Sequence, residues 1–196
     1  MEDSKRKYLV LDFDETLYNT PKFKEASRRI FCEHDLEFDS VYRHLCKRKL
    51  FSPEDISSLN LDDEIKNELL SKITQEINSG KKYLYPDSAE FIKKSRLPVA
   101  IFSFGNKTFQ MAKIKATGID KLVDKIKITQ NSKHLDREMI SQAKILVDDS
   151  LPTLEEIQKK DKKVSLYLID RENRYQDSKI KAGIKKIAKL AEIKCR

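Results

Sequence analysis

The sequence predicts an α/β protein in which a parallel sheet carries helices on both faces and a small all-α block is inserted after the first strand. Three observations predict it. Tyr8 to Asp12 is an apolar run that stops abruptly in acidic residues. From Asn19 to about residue 84, apolar residues recur at helical spacing with no convincing strand among them. After Pro86, short apolar runs alternate with helical stretches, the pattern of a parallel sheet.

Each element has its own signal. Phe23, Ala26, Ile30 and Phe31 fit one helix face after Thr20-Pro21, and Phe38, Val41, Tyr42, Leu45 and Cys46 fit a second. Ser52-Pro53 opens a short helix with cap and first-turn proline in order. Asp62 is placed to cap a longer helix with Ile65, Leu69, Ile73 and Ile77 inward, stopping near Gly80. A helix over Asp87 to Ser95 precedes a strand at Val99 to Phe104, and another helix runs from Lys107 to Gly118. The expected series continues with a strand at Lys125 to Thr129, a helix at Leu135 to Ala143 and a strand at Ile145 to Asp148. It ends with a helix at Thr153 to Lys160 and a strand at Val164 to Ile169. Ile180, Ile184, Ile187, Ala188 and Ala191, with lysines between them, predict a basic C-terminal helix.

Composition narrows the class. With 196 residues, 39% hydrophobic and 37% charged, the chain suits one folded core with an insertion. No apolar run is long enough to cross a bilayer, and the charged stretch Met1 to Lys7 does not resemble a secretory signal. Cys32, Cys46 and Cys195 lack C-x-x-C spacing and suit free thiols, so a cytoplasmic location is expected. The net charge of +8 is concentrated at the end, where the last eighteen residues hold seven Lys or Arg against one Glu. A solvated cationic face explains that better than nucleic acid, since no aromatic or motif accompanies it. A membrane partner is not expected, and the chain is expected to be a monomer or dimer.

The chemistry is concentrated at strand ends. Leu9-Val10-Leu11-Asp12-Phe13-Asp14-Glu15-Thr16 delivers two carboxylates where a buried strand runs out, and Lys144-Ile145-Leu146-Val147-Asp148-Asp149 delivers two more. Between them, Val99 to Ser103 delivers a hydroxyl, followed by Gly105 and a helix start near Asn106. Parallel strands bring all these ends to one edge, where open α/β sheets bind ligands. Four converging carboxylates repel one another unless a hard cation lies among them, and oxygen-only ligands favour Mg²⁺.

In this order the motifs resemble those of haloacid dehalogenase-like (HAD) phosphatases, over most of residues 8 to 175. The resemblance implies a Rossmann-like core at 1–18 and 85–196 with a helical C1 cap at 19–84. It implies Asp12 as nucleophile, Asp14 as general acid/base with an upward-shifted pKa, and Thr16 supporting the turn. Ser103, Gly105 and Asn106 would bind the phosphoryl group, and Asp12, Asp14, Asp148 and Asp149 would make the metal site. Asp14 would contribute its main-chain carbonyl to the metal. Leu168-Ile169-Asp170-Arg171 resembles the strand and turn that follow the last motif. Glu15 stands where the family often has glycine, and no glycine precedes Asp148.

The family also needs one cation at the phosphoryl group. Lys144 starts its strand four steps before Asp148, about 13 Å away at strand rise. Lys133 follows a strand and precedes a helix, which is the carboxyl edge, so Lys133 is the choice. The expected activity is Mg²⁺-dependent hydrolysis of phosphoric monoesters through an aspartyl phosphate. A helical cap favours small phosphorylated metabolites such as sugar phosphates, nucleotides or phosphoglycolate. The alternatives are a phosphatase of macromolecular ends, phosphoprotein or nucleic acid, and a non-catalytic binding protein on the same fold. A mutase or phosphonate-cleaving relative would share the catalytic set, whereas a dehalogenase dispenses with the magnesium cluster.

Overall fold

The computed structural model describes residues 7–46 and 50–193. The stretch Met1 to Arg6 and Cys195 therefore lie outside the described residues. Strand β1 (Tyr8–Leu11) is followed by helices α1 (Thr20–Cys32), α2 (Phe38–Cys46) and α3 (Asp63–Asn78) before β2 (Val99–Phe104) begins. A 3-10 turn at Pro53–Ser58 lies between α2 and α3, and α4 (Ser88–Lys94) leads into β2. Then come α5 (Lys107–Thr117), β3 (Lys125–Thr129), α6 (Arg137–Gln142), β4 (Ala143–Asp148), α7 (Leu151–Lys160), β5 (Ser165–Ile169) and β6 (Ile184–Ile187).

The sheet order is β3-β2-β1-β4-β5-β6, and every neighbouring pair is parallel. The chain builds outward from β1 through β2 to β3, then crosses back to β4 on the other side of β1. That reversal opens a crevice beyond the carboxyl ends of the central strands. Both faces are covered, so the strands read as continuous apolar runs rather than alternating ones. Leu9, Leu11, Ile101 and Val147 pack with the inserted helices, α4 and α5 on one face, while Val10, Phe102, Leu146 and Leu168 pack with α6 and α7 on the other.

Entry to and exit from the inserted helices are tied together. Tyr18 bridges Leu84 in antiparallel fashion, the Asn19 amide donates to the Tyr83 carbonyl (2.7 Å), and the Tyr85 amide donates to the Leu17 carbonyl (3.0 Å). Gly80 permits a close approach of this block to α5, since a Cβ there would lie 2.8 Å from that of Ala116.

Three local expectations need correction. The C-terminal segment is not a helix: it forms edge strand β6 and a 3-10 turn at Leu190–Glu192. Gly183 sits at φ 96°, which breaks any helix across it. Ile184 and Ile187, three apart, are both buried because they face opposite sides of a strand covered on both faces. Part of the cationic run is also spent locally, with Lys181 on Glu155 (3.1 Å) and Lys186 on Asp170 (2.8 Å). The segment Leu135 to Ala143 begins as a 3-10 turn at Lys133–Leu135, and Ala143 already belongs to β4. Asp62 precedes α3 but makes no side-chain cap bond. Among the described residues, no helix is long and apolar enough to cross a membrane.

Candidate active site

Asp12 follows β1 directly. Leu11 pairs with Val147, and the Asp12 amide donates to the Val147 carbonyl (2.9 Å), so the next residue of each strand, Asp12 and Asp148, comes side by side at the carboxyl edge. Carboxylate oxygens of Asp12, Asp148 and Asp149 lie within 4.8 Å of one another. Asp12 and Asp148 are buried. Burial raises the pKa of Asp12 well above its ordinary value; Lys133 opposes this, and the Asp148 and Asp149 charges add to it. Asp148 is raised by burial first, against Lys133 and with Asp149.

Lys133 lies in the turn after β3, and its ammonium donates to Asp12 and, at 2.8 Å, to Asp148. Burial works against its charge, but the two carboxylates outweigh it and hold its pKa above that of a free lysine. Lys144, by contrast, is exposed near the start of β4. Asp149 is held by Arg174 (2.6 Å), whose guanidinium also meets Glu15 (2.8 Å). Three carboxylates thus share one buried ammonium and one partly exposed guanidinium. An additional hard cation fits that imbalance, and the donors are all oxygen, which suits Mg²⁺.

Asp14 departs from expectation. Its carboxylate is turned away from the other three, onto Lys113 (2.6 Å) and Gln110 (2.6 Å) of α5 and Thr20 (2.7 Å) at the start of α1. The acidic group is therefore Asp12, Asp148 and Asp149, without the Asp14 side chain, because a buried ammonium on α5 draws Asp14 elsewhere. Burial pushes the Asp14 pKa up, but Lys113, aided by hydrogen bonds from Gln110 and Thr20, brings it below the ordinary value. The upward shift expected of a general acid is not present in this arrangement.

The remaining candidates divide. Ser103 and Thr16 are fully buried with side-chain oxygens that lack a hydrogen-bond partner among the described residues, and neither lines the cleft. Gly105 and Asn106 do line it, but the Gly105 amide donates to the Thr129 carbonyl (3.0 Å) and the Asn106 side chain caps α5 by accepting from Phe109 (3.1 Å). Glu15 occupies the left-handed region at φ 56°, the conformation that favours glycine there.

Sequence reasoning missed Gln110, Lys113 and Arg174. A signal for the first two was present: Gln110, Lys113, Ile114 and Thr117 form the buried stripe of α5, and two of its members are strongly polar. Arg171, in the turn after β5, donates twice to the Thr16 carbonyl (2.9 and 2.8 Å) and to Asp87 (2.9 Å), and stacks 4.0 Å from the Tyr85 ring. It ties the turn after Asp12 to the exit of the inserted helices.

Asp12, Asp14, Lys133, Asp148 and Asp149 form the floor of a cleft of about 900 Å³. Its opposite wall comes from the inserted helices.

No protein-family model and no curated protein sequence matches the chain. Solved structures do. A protein described as a haloacid dehalogenase-like hydrolase, from Burkholderia xenovorans LB400, superposes with TM-score 0.74 at 17% identity, covering 94% of each chain. The HAD hydrolase YfnB of Bacillus subtilis, bound to magnesium, gives 0.63 at 12% identity over 95% of this chain and 96% of that one. The L-2-haloacid dehalogenase of Xanthobacter autotrophicus gives 0.59 at 13% identity over 94% and 95%. The chain has the fold shared by these HAD-like hydrolases and the dehalogenase.

Proposed function

We propose that this protein is a Mg²⁺-dependent phosphoric monoester hydrolase of the HAD superfamily, working through a phosphorylated Asp12 on a small phosphorylated substrate. The observation that carries the reading is the meeting of Asp12, Asp148, Asp149 and Lys133 at the floor of the cleft. A carbon–halogen substrate gives no reason to gather three carboxylates, and a pure binding module gives no reason to bury two of them together.

Asp12, Asp148 and Asp149 would hold the cation, which, when bound, neutralises charge on the phosphoryl group. An Asp12 oxygen attacks phosphorus as the bond to the leaving oxygen breaks, forming an aspartyl phosphate. Asp14 gives its proton to the leaving oxygen. Water then attacks the same phosphorus, Asp14 takes the proton, and phosphate and free Asp12 result. Lys133 offsets negative charge on Asp12 and the incoming group throughout. Held by Lys113, Asp14 is suited to the second step as it stands. It serves the first when its contacts to Thr20 and Lys113 are exchanged for the substrate, which couples acid catalysis to the first turn of α1.

We take the inserted helices, residues 19–84, as the cap of this core, and assign Ser103 to the phosphoryl group once the substrate has entered. Purified protein with Mg²⁺ is expected to hydrolyse a simple phosphate ester, and Asp12→Asn to reduce turnover at least a thousandfold. Activity that survives Asp12→Asn, or is indifferent to a chelator, contradicts the reading.

A further inference from the structure

We infer that the substrates are phosphate monoesters of bulky apolar alcohols, aromatic ones foremost, with the leaving group seated in an aromatic chamber facing Asp12. The inference rests on the phosphatase reading and goes beyond it in naming what the phosphoryl group is attached to. The chamber wall opposite the carboxylates is a run of rings: Phe38 and Tyr42 of α2, Phe51, Phe109 of α5, and Phe23 of α1. Successive centroids lie 5.6 Å (Phe38–Tyr42), 5.1 Å (Tyr42–Phe51), 5.5 Å (Phe51–Phe109) and 6.3 Å (Phe109–Phe23) apart. Phe104, an exposed large apolar side chain, lines the same cleft from the end of β2.

Beside these rings the Ser27 hydroxyl is engaged with the Phe23 carbonyl (3.1 Å), and Thr20 donates to Asp14 (2.7 Å) until Asp14 turns to the substrate. On the same wall the Lys24 ammonium lies 5.0 Å from the centre of the Tyr42 ring. His134, Thr153 and Glu156 line the cleft from the core side, with the carboxylates. A sugar seated against this wall leaves the hydroxyls on that side facing ring faces, unpaired after losing water. An apolar group loses nothing and gains ring contact. The volume, about 900 Å³, is at the upper end for small-molecule sites and far exceeds what a two-carbon leaving group fills.

The test uses alcohols of similar acidity, so that leaving-group chemistry does not decide the outcome: ethyl phosphate, 2-phenylethyl phosphate and glucose 6-phosphate, each with Mg²⁺. The kcat/KM for 2-phenylethyl phosphate is expected to exceed each of the others at least tenfold. Phe51→Ser is expected to cut that ratio to threefold or less. If Phe51→Ser does not fold, the wild-type ratio decides alone. Equal rates, or a preference for glucose 6-phosphate, overturn the inference and leave the phosphatase reading intact. Hydrolysis of none of the three sinks the phosphatase reading instead. The chamber is then judged by calorimetry with the free alcohols: 2-phenylethanol binding at least tenfold tighter than glycerol supports its apolar selectivity, and equal affinity refutes it.

Discussion

Asp14 and Lys113 form a partly buried ion pair at 2.6 Å, with the ammonium also 4.9 Å from the Phe109 ring centre and 5.2 Å from that of Tyr18. Replacing Lys113 by Met removes the charge and keeps the stem, leaving Asp14 without its cation. Breaking such a pair from one side costs about 3–5 kcal/mol, so Lys113→Met is expected to lower unfolding stability by that order in urea at pH 7. The pH dependence has a defined sign. A depressed native pKa gives Asp14 a stabilising contribution present above the unfolded value of about 3.9 and lost as pH falls through the native one. Wild type and variant are therefore expected to converge in acid. An unchanged midpoint at pH 7 would show that the pair contributes nothing. The placing of Asp12, Asp148 and Asp149 at one edge was legible at this scale because an apolar run that stops in a charge identifies its own edge of the sheet; the turn of Asp14 onto Lys113 was not. Lys113 was not legible, because in a chain with 40 Lys and Arg no single lysine stands out until its helix face is known to be buried.

At the scale of elements, the inserted helices are held to the core largely through α5. Gly80 lets the segment after α3 touch that helix: a Cβ would meet the Ala116 Cβ at 2.8 Å and its carbonyl carbon at 2.9 Å. Backbone atoms do not yield as a side-chain tip does, so Gly80→Ala is expected to destabilise by about 1–3 kcal/mol, read as a lower urea midpoint with unchanged slope. A neutral or stabilising effect would mean that the two segments separate freely. Elements with a single possible period were read well from the sequence: β1, β2 and β4 are apolar runs too short for helices, and α1 and α3 show clear helical stripes. The C-terminal segment was misread because an i, i+3 pair of isoleucines fits a helix face as well as the two sides of a covered strand. Gly183 was the residue that favoured the strand.

For the whole molecule, the parallel strand order fixes where the strand-end carboxylates gather, and the inserted helices line the same cleft. The sheet brings Asp12 and the Asp148-Asp149 pair, far apart in sequence, to one point, and the aromatic wall faces them across the cleft. That arrangement strains the protein electrostatically. Asp12 and Asp148 have native pKa values raised chiefly by burial, so their contribution to stability is present below about pH 3.9 and is lost as pH rises through the native values. A divalent cation held by these carboxylates, as proposed, would offset that loss near neutrality and be displaced by protons in acid. The partition of the cleft into a charged floor and an apolar wall was beyond the sequence, because helical spacing places Phe23 and Phe38 on inward faces without saying what those faces meet.

The measurement closest to this claim is the thermal midpoint at pH 7.5 with and without Mg²⁺, for wild type and Asp148→Asn. At a hundredfold excess over Kd, binding adds about 2.7 kcal/mol, which for a chain of this size is a rise of about 5–10 °C. Wild type is expected to show that rise and Asp148→Asn to lose it. A wild-type midpoint indifferent to Mg²⁺, or an equal rise in both proteins, would contradict a cation site built from the ends of β1 and β4.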